Sequence, residues 1–364
     1  MNDEFMNLRN LCVYVGGHCN FSCNYCDREF IKDNFGYQKL TKDDLPKIKE
    51  FFKYVLDSTD NVKVINFHGG EPFIFTDLID ELCTFLTENY SHKDLKYFIQ
   101  TNGSLILKNK QFIEKHKDKL IVSISYDSLF QEEHRTEIPI RDILSYFKEI
   151  NLTGVQLQPV LPMDDDRVFE YKYVFDLISL YKDFYPVVKN YNFLFLRYSW
   201  ETKKIERLLG KKKSIEWFFG NFIKLMYNLH IHNVGFSLDS IKSLDQHKKY
   251  CDNHWQLIIA PDGYLYPEFA FIEHKVEKFR IGQWRDSIYI TRKYNIDDVL
   301  KPECTTCDIN YFCGYKYTIL AFNTDLPEDK VCQKYYKTLA FVYKHYQDML
   351  KCNNLFELFL KEKK

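Results

Sequence analysis

Apolar positions along the first 200 residues alternate between two rhythms. Short runs of β-branched and aromatic residues read as strands: "LCVYV" (11–15), "VKVINF" (62–67), "LKYFIQ" (95–100), "LIVSISY" (120–126), "GVQLQPVL" (154–161) and "NFLFLR" (192–197). Between them, apolar residues recur at helical spacing. "LTKDDLPKIKEFFKYVLD" (40–57) predicts a helix with Thr41 as a cap, and "TDLIDELCTFLTENY" (76–90) predicts a capped amphipathic helix. A basic helical stretch is expected near 108–118, a helix at "RDILSYFKEI" (141–150), and another near 168–183. Strand–helix alternation of this kind predicts a parallel sheet wound with right-handed crossovers. About six units fit before residue 200. Six is too few for a closed eight-stranded barrel, so the expected fold class is α/β, a partial (β/α)6 TIM-like barrel.

The rhythm changes after Trp200. Residues 201–213, "ETKKIERLLGKKK", are basic, and an aromatic helix is expected at about 214–231. "WQLIIAPDGYLYPE" (255–268) has two β-rich runs around "PDG", a hairpin signal. A cysteine-rich stretch occupies 304–332, and a final helix carries the charged end "KEKK". The expected organisation is a barrel over 8–200, a helical bridge over 201–247, a small cysteine-rich α+β domain over 248–335 and a C-terminal helix over 336–364.

Composition narrows the setting. The 364 residues carry a formal net charge of −1, which does not favour nucleic acid or an anionic membrane as partner. Despite 31 Phe and 27 Tyr, no apolar run reaches the length of a membrane span, and "MNDEFMNLRN" lacks a signal-peptide core. Eleven clustered cysteines fit metal binding in a reducing compartment better than disulfides, so a soluble cytoplasmic protein is expected.

The clustering supplies the chemistry. "GHCNFSCNYCD" (17–27) places Cys19, Cys23 and Cys26 as Cys-x3-Cys-x2-Cys, in a loop directly after the first strand. Active sites of such barrels are built on the loops at that face. Three thiolates on a 4Fe–4S cluster leave one iron open to a substrate or cofactor. On spacing alone, a zinc site completed by His18 or a distant residue stays open, as do three unrelated loop cysteines.

Further residues point one way. The Cys-x3-Cys-x2-Cys loop with Tyr25 before its last cysteine, "GGEP" (69–72) after the second strand, "TNG" (101–103) after the third and "SISYD" (123–127) ending the fourth resemble the radical S-adenosylmethionine superfamily. The resemblance covers the first 200 residues. It implies a 4Fe–4S cluster on Cys19, Cys23 and Cys26, with S-adenosylmethionine contacted by Tyr25, Gly69, Gly70, Glu71, Asn102, Ser125 and Arg135. The glycine pair would expose backbone for close approach, and Glu71 would suit the methionyl ammonium. Asn102 and Ser125 would bond ribose hydroxyls or the carboxylate, and Arg135 would pair with that carboxylate. Reductive cleavage would yield a 5′-deoxyadenosyl radical that abstracts hydrogen, with flavodoxin or ferredoxin as reductant.

The second cysteine group, Cys304, Cys307, Cys313 and Cys332, supplies four thiolates, enough for zinc or for an iron–sulfur cluster. Its arrangement resembles the SPASM extension of radical peptide-modifying enzymes, which implies an auxiliary 4Fe–4S cluster on these four. Two positions depart from that pattern: Glu268 and Tyr317 stand where cysteines are expected, leaving Cys251 without its usual co-ligands. Two clusters are therefore expected rather than three. Cys251 and Glu268 become candidates for hydrogen-atom donation and proton acceptance, against the plainer reading of a buried thiol and a solvated carboxylate. Cys12, Cys83 and Cys352 read as packing residues.

The expected function is maturation of a ribosomally synthesised precursor peptide by a thioether or carbon–carbon crosslink or by epimerisation. A radical dehydrogenase or related enzyme on a small molecule, and a non-catalytic iron–sulfur protein, are the alternatives. Because the barrel starts near residue 10, leader recognition would fall to the bridge or to a separate protein, and the basic run 203–213 is either a docking site for an acidic leader or a solvated face.

Overall fold

A computed structural model describes residues 8–23, 26, 38–161, 166–195, 215–238, 256–267, 269, 272 and 280–290. Six parallel strands form its centre: β1 (Asn10–Gly16), β2 (Val64–Gly69), β3 (Lys96–Thr101), β4 (Leu120–Ser125), β5 (Val155–Gln158) and, beyond the two-residue β6 (Val160–Leu161), β7 (Val188–Phe195). The six strand units read from the sequence are all present. Pro159 divides the run 154–161, because it has no N–H to give the ladder; β6 pairs with β7 instead of continuing beside β4.

Helices α1 (Leu45–Ser58), α2 (Thr76–Asn89), α3 (Lys110–His116), α4 (Gln131–His134), α5 (Ile140–Glu149) and α6 (Tyr171–Phe184) connect these strands. Thr41 sits in extended backbone before the short 3-10 turn that leads into α1, and its N–H donates to Asp44 Oδ2 at 2.9 Å. α2, predicted to be capped, begins at Thr76 with no side-chain cap, and Glu71 instead accepts from Phe73 N at the start of the preceding 3-10 turn. Each longer helix buries one stripe, as in Leu78, Ile79, Leu82, Cys83 and Leu86 of α2. These stripes pack on Val13, Ile65, Ile99, Ile124 and Leu157, the alternate residues of the strands. Cys12 and Cys83 are both fully buried, as packing residues.

The aromatic helix α7 (Ile215–Ile231) leads to β8 (Phe236–Leu238), which extends the parallel sheet beyond β7. The predicted hairpin is β9 (Gln256–Ile259) against β10 (Tyr264–Tyr266), with β11 (Gly282–Gln283) and β12 (Tyr289–Ile290) beyond it. Unforeseen was its place. β9 pairs parallel to β1, so β1 is an interior strand of one continuous sheet. The Trp284 indole, fully buried, donates to Ala260 O and pins the hairpin turn. No helix among the described residues is long and apolar enough to cross a membrane.

Candidate active site

The site is assembled where β1 to β4 end. Past Gly16 the chain enters the cysteine loop, and two backbone bonds lock its base to the loop after β2: Gly70 N to Gly16 O at 2.9 Å and Glu71 N to His18 O at 2.7 Å. A Cβ on Gly70 would lie 2.2 Å from His18 O and 2.6 Å from Gly17 O. The close approach expected of the glycine pair is therefore made first by the protein's own backbone, and glycine is required there to seat the cysteine loop.

Glu71 is fully buried. Its carboxylate accepts from Phe73 N at 3.0 Å, Thr101 Oγ1 at 2.8 Å and Asn102 N at 2.7 Å. Burial pushes the carboxyl up from its ordinary value, while these three donors and Arg135 pull against that shift. Glu71, expected from the resemblance to suit an ammonium, is in this structure a bracket that joins the loops after β2 and β3.

Asn102 continues the bracket. Its side-chain N–H donates to Asn20 Oδ1 at 2.9 Å and lies 3.7 Å from Cys19 Sγ, while its Oδ1 accepts from Ser104 N and Ser104 Oγ. Asn20 returns a bond to Ser104 Oγ at 2.8 Å. The Asn102 amide, expected from the resemblance to bond ribose hydroxyls or the carboxylate, reaches the cysteine loop in this structure. Asn20 and Ser104 were not read from the sequence, because single Asn and Ser residues carry no spacing signature.

The fourth strand contributes a buried ion pair. Arg135 Nε donates to Asp127 Oδ2 at 2.9 Å, with side-chain exposures of 9% and 1%. Asp127 Oδ1 accepts from Val160 N, and Asp127 N donates to Gln131 Oε1, so two donors hold the carboxylate and a third bond holds its backbone. Ser125 is buried at the end of β4. Burial pushes the Cys23 thiol up, and the Arg135 guanidinium partly offsets this, which places Arg135 within electrostatic reach of the cysteine loop.

Cys19 and Cys23 are half-buried and Cys26 is exposed. Among the described residues, no three His, Cys, Asp or Glu side chains are gathered into a metal cage. The donor set still suits a soft iron–sulfur group. Cys19 Sγ accepts from Phe21 N at 3.4 Å and faces the Asn102 amide, the kind of hydrogen bonding that tunes thiolate ligands. Tyr25, Cys251, Glu268, Cys304, Cys307, Cys313, Cys332 and Cys352 lie outside the described residues, as do 201–214, 239–255 and 291–364.

Residues 13–166 match the family model described as "Radical SAM superfamily". An uncharacterized protein of Methanocaldococcus jannaschii is 34% identical over 143 residues, 39% of this chain and 43% of the relative. The GTP 3′,8-cyclase of Staphylococcus saprophyticus is 30% identical over 156 residues, 42% of this chain and 44% of the relative. The matched stretch thus spans less than half the length of either. Among solved structures, anSMEcpe with bound AdoMet and Cp18Cys peptide superposes with a TM-score of 0.65 at 17% identity, covering 93% of this chain and 98% of that one. Streptococcus suis SuiB bound to precursor peptide SuiA gives 0.60 at 16% identity, covering 90% and 76%. The chain therefore shares their fold, and over residues 13–166 it is similar to the Radical SAM superfamily.

Proposed function

We propose that this chain is a radical SAM enzyme that abstracts a hydrogen atom from a ribosomally synthesised precursor peptide, forming a thioether or carbon–carbon crosslink or an epimerised centre. The observation that carries the reading is the three-cysteine loop, tied by Gly70, Glu71 and Asn102 to the C-terminal mouth of a parallel sheet. Cys19, Cys23 and Cys26 would hold a 4Fe–4S cluster. When bound and reduced, that group supplies the electron that cleaves S-adenosylmethionine into methionine and a 5′-deoxyadenosyl radical. The chain's own part is aim. Asp127 holds Arg135 beside the loop, where its guanidinium suits a carboxylate, and Glu71 holds the loops in register.

The peptide reading is supported by the fold shared with two proteins whose structures contain a peptide, and by the SPASM-like cysteine spacing. Within it, Cys304, Cys307, Cys313 and Cys332 would hold an auxiliary cluster. Cys251 and Glu268 would stand near the radical, a flavodoxin or ferredoxin would deliver electrons in the cytoplasm, and a separate protein or the bridge would hold the leader. The second reading, a small-molecule substrate, is favoured by the sequence likeness to GTP 3′,8-cyclase.

The test is anaerobic incubation of purified protein with dithionite and S-adenosylmethionine. 5′-Deoxyadenosine should form, and serine at Cys19, Cys23 or Cys26 should abolish both it and the iron content. A mass change in a precursor peptide encoded beside this chain should accompany co-expression. Zinc in place of iron, or no 5′-deoxyadenosine with full clusters, would overturn the proposal.

A further inference from the structure

The sheet face turned away from the helices is divided in two. On β9 and β1 it is apolar, with Cys12, Tyr14, Ile258 and Ala260 packed against Tyr266 and Ile272. From β3 to β7, above the apolar pair Phe98 and Ile121, it is lined toward the strand ends by amides and hydroxyls. Gln100, Ser123, Gln156 and Asn190 pair in one continuous row across four strands, and Ser125 pairs with Gln158 one step nearer the mouth. These residues alternate with Ile99, Val122, Ile124 and Leu157 of the helix-facing core, which puts them on the opposite face.

Two of these side chains are unspent. Ser123 is 0% exposed and Gln158 is 3% exposed, yet Ser123 Oγ and Gln158 Oε1 have no hydrogen-bond partner among the described residues. A buried hydroxyl or amide oxygen left unpaired costs about 1–3 kcal/mol, which selection tolerates where a ligand completes the bond. From this row to their strand ends, β3, β4, β5 and β7 read "QT", "SIS", "QLQ" and "NYNFLF", with no Asp, Glu, Lys or Arg.

We propose that this half of the face receives the substrate residue on which the reaction is performed, and that it selects an uncharged hydrogen-bonding side chain: Asn, Gln, Ser or Thr. The inference rests on the peptide reading above. Amides and hydroxyls both donate and accept, so they match a neutral polar group in either sense. A Lys or Glu side chain would enter without a countercharge and pay its desolvation in full. Leu or Phe would leave Ser123 and Gln158 unpaired, and sites built to hydrogen-bond a substrate reject analogues that lack the group. A phosphate-bearing nucleotide would find no cation on these stretches from the row to the strand ends.

The test uses capped pentapeptides that differ only at the central residue: Asn, Gln, Ser, Thr, Leu, Phe, Lys or Glu. Each is titrated calorimetrically into the anaerobic, cluster-loaded enzyme with S-adenosylmethionine present, with GTP as a further probe. Peptides centred on Asn, Gln, Ser or Thr should bind at least about tenfold tighter than the others and than GTP, a gap of about 1.4 kcal/mol. Ser123→Ala should weaken that binding about threefold or more while raising the melting temperature, because it deletes an unpaired buried hydroxyl. A purely structural Ser123 would do the reverse. Equal or tighter binding of Leu, Phe, Lys, Glu or GTP, no binding by any peptide at millimolar concentration, or a lowered melting temperature in Ser123→Ala would overturn the assignment. 5′-Deoxyadenosine formed without peptide, measured on the same preparation, reports on the proposed reaction separately. If it forms while the peptides fail to discriminate, only the present inference falls.

Discussion

Glu71 Oε2 accepts the backbone N–H of Asn102 at 2.7 Å, so a fully buried carboxylate after β2 is fastened to the turn after β3. The same Asn102 reaches the cysteine loop through Asn20. Three loops that are distant in sequence thereby share one polar network, and its members are the places to perturb it.

Glu71→Gln keeps the volume but places an amide N–H against one of the donors the carboxylate accepts. The expected loss is about 1–3 kcal/mol of unfolding free energy, read by urea denaturation. Burial raises the Glu71 carboxyl above its unfolded value, so the proton favours the folded state. The stability tied to this group is fully present below the ordinary glutamate range and is lost as pH rises through the elevated value. Glu71→Gln should remove that slope; a variant with the same pH dependence as the parent would show that Glu71 does not titrate in this window.

Gly70→Ala sets a methyl against backbone rather than a movable side chain, 2.2 Å from His18 O. The cysteine loop must shift. The expected outcome is about 1–3 kcal/mol of destabilisation together with reduced iron content after reconstitution. Full iron loading and unchanged melting would contradict the seating role of Gly70.

Asp127→Asn breaks the ion pair with Arg135 and leaves a guanidinium that is 9% exposed without its carboxylate. Losing one member of a buried pair costs about 3–5 kcal/mol. On the proposed function, the KM for S-adenosylmethionine should rise more than kcat falls, because Asp127 positions Arg135 without touching the reacting atoms. A change in kcat alone would argue against positioning.

Tyr97 joins sheet to helix, its hydroxyl 2.8 Å from Thr87 Oγ1 and donating to Cys83 O. Burial pushes its phenol up from 10.0 to about 12. Stability contributed by the neutral phenol is present below pH 10 and is lost as pH rises toward about 12. Tyr97→Phe should be less stable than the parent at neutral pH and should lose less between those limits, measured by urea midpoints across the alkaline range.

Much of the barrel was legible, because strands buried between helices and a lumen carry apolar runs whose rhythm contrasts with that of the helices. Where the reading failed, the cause was non-local. Nothing near Gln256 signals that β9 will lie beside Asn10, since pairing register between distant strands leaves no local pattern. The helix over 76–90 was expected to carry its own cap, but a 3-10 turn precedes it and the side-chain cap, Glu71, sits at the start of that turn. The alternating "QLQ" and "SIS" were in plain view, yet such alternation ordinarily marks a strand with one face in water, and only the wound topology turns it inward. The site motifs were found as motifs, while their division of labour was not: that Glu71 and Asn102 serve the loop itself follows from distances no spacing encodes.

The parallel pairing of β1 with β9 bears on how the molecule is made. Asn10 aligns with Gln256, so the strand that feeds the cysteine loop stays bare along one side until about 250 more residues have left the ribosome. During that interval its backbone from Asn10 to Val13 offers a ready template to any stray strand, and slow late closure makes nascent-chain aggregation the hazard this topology carries.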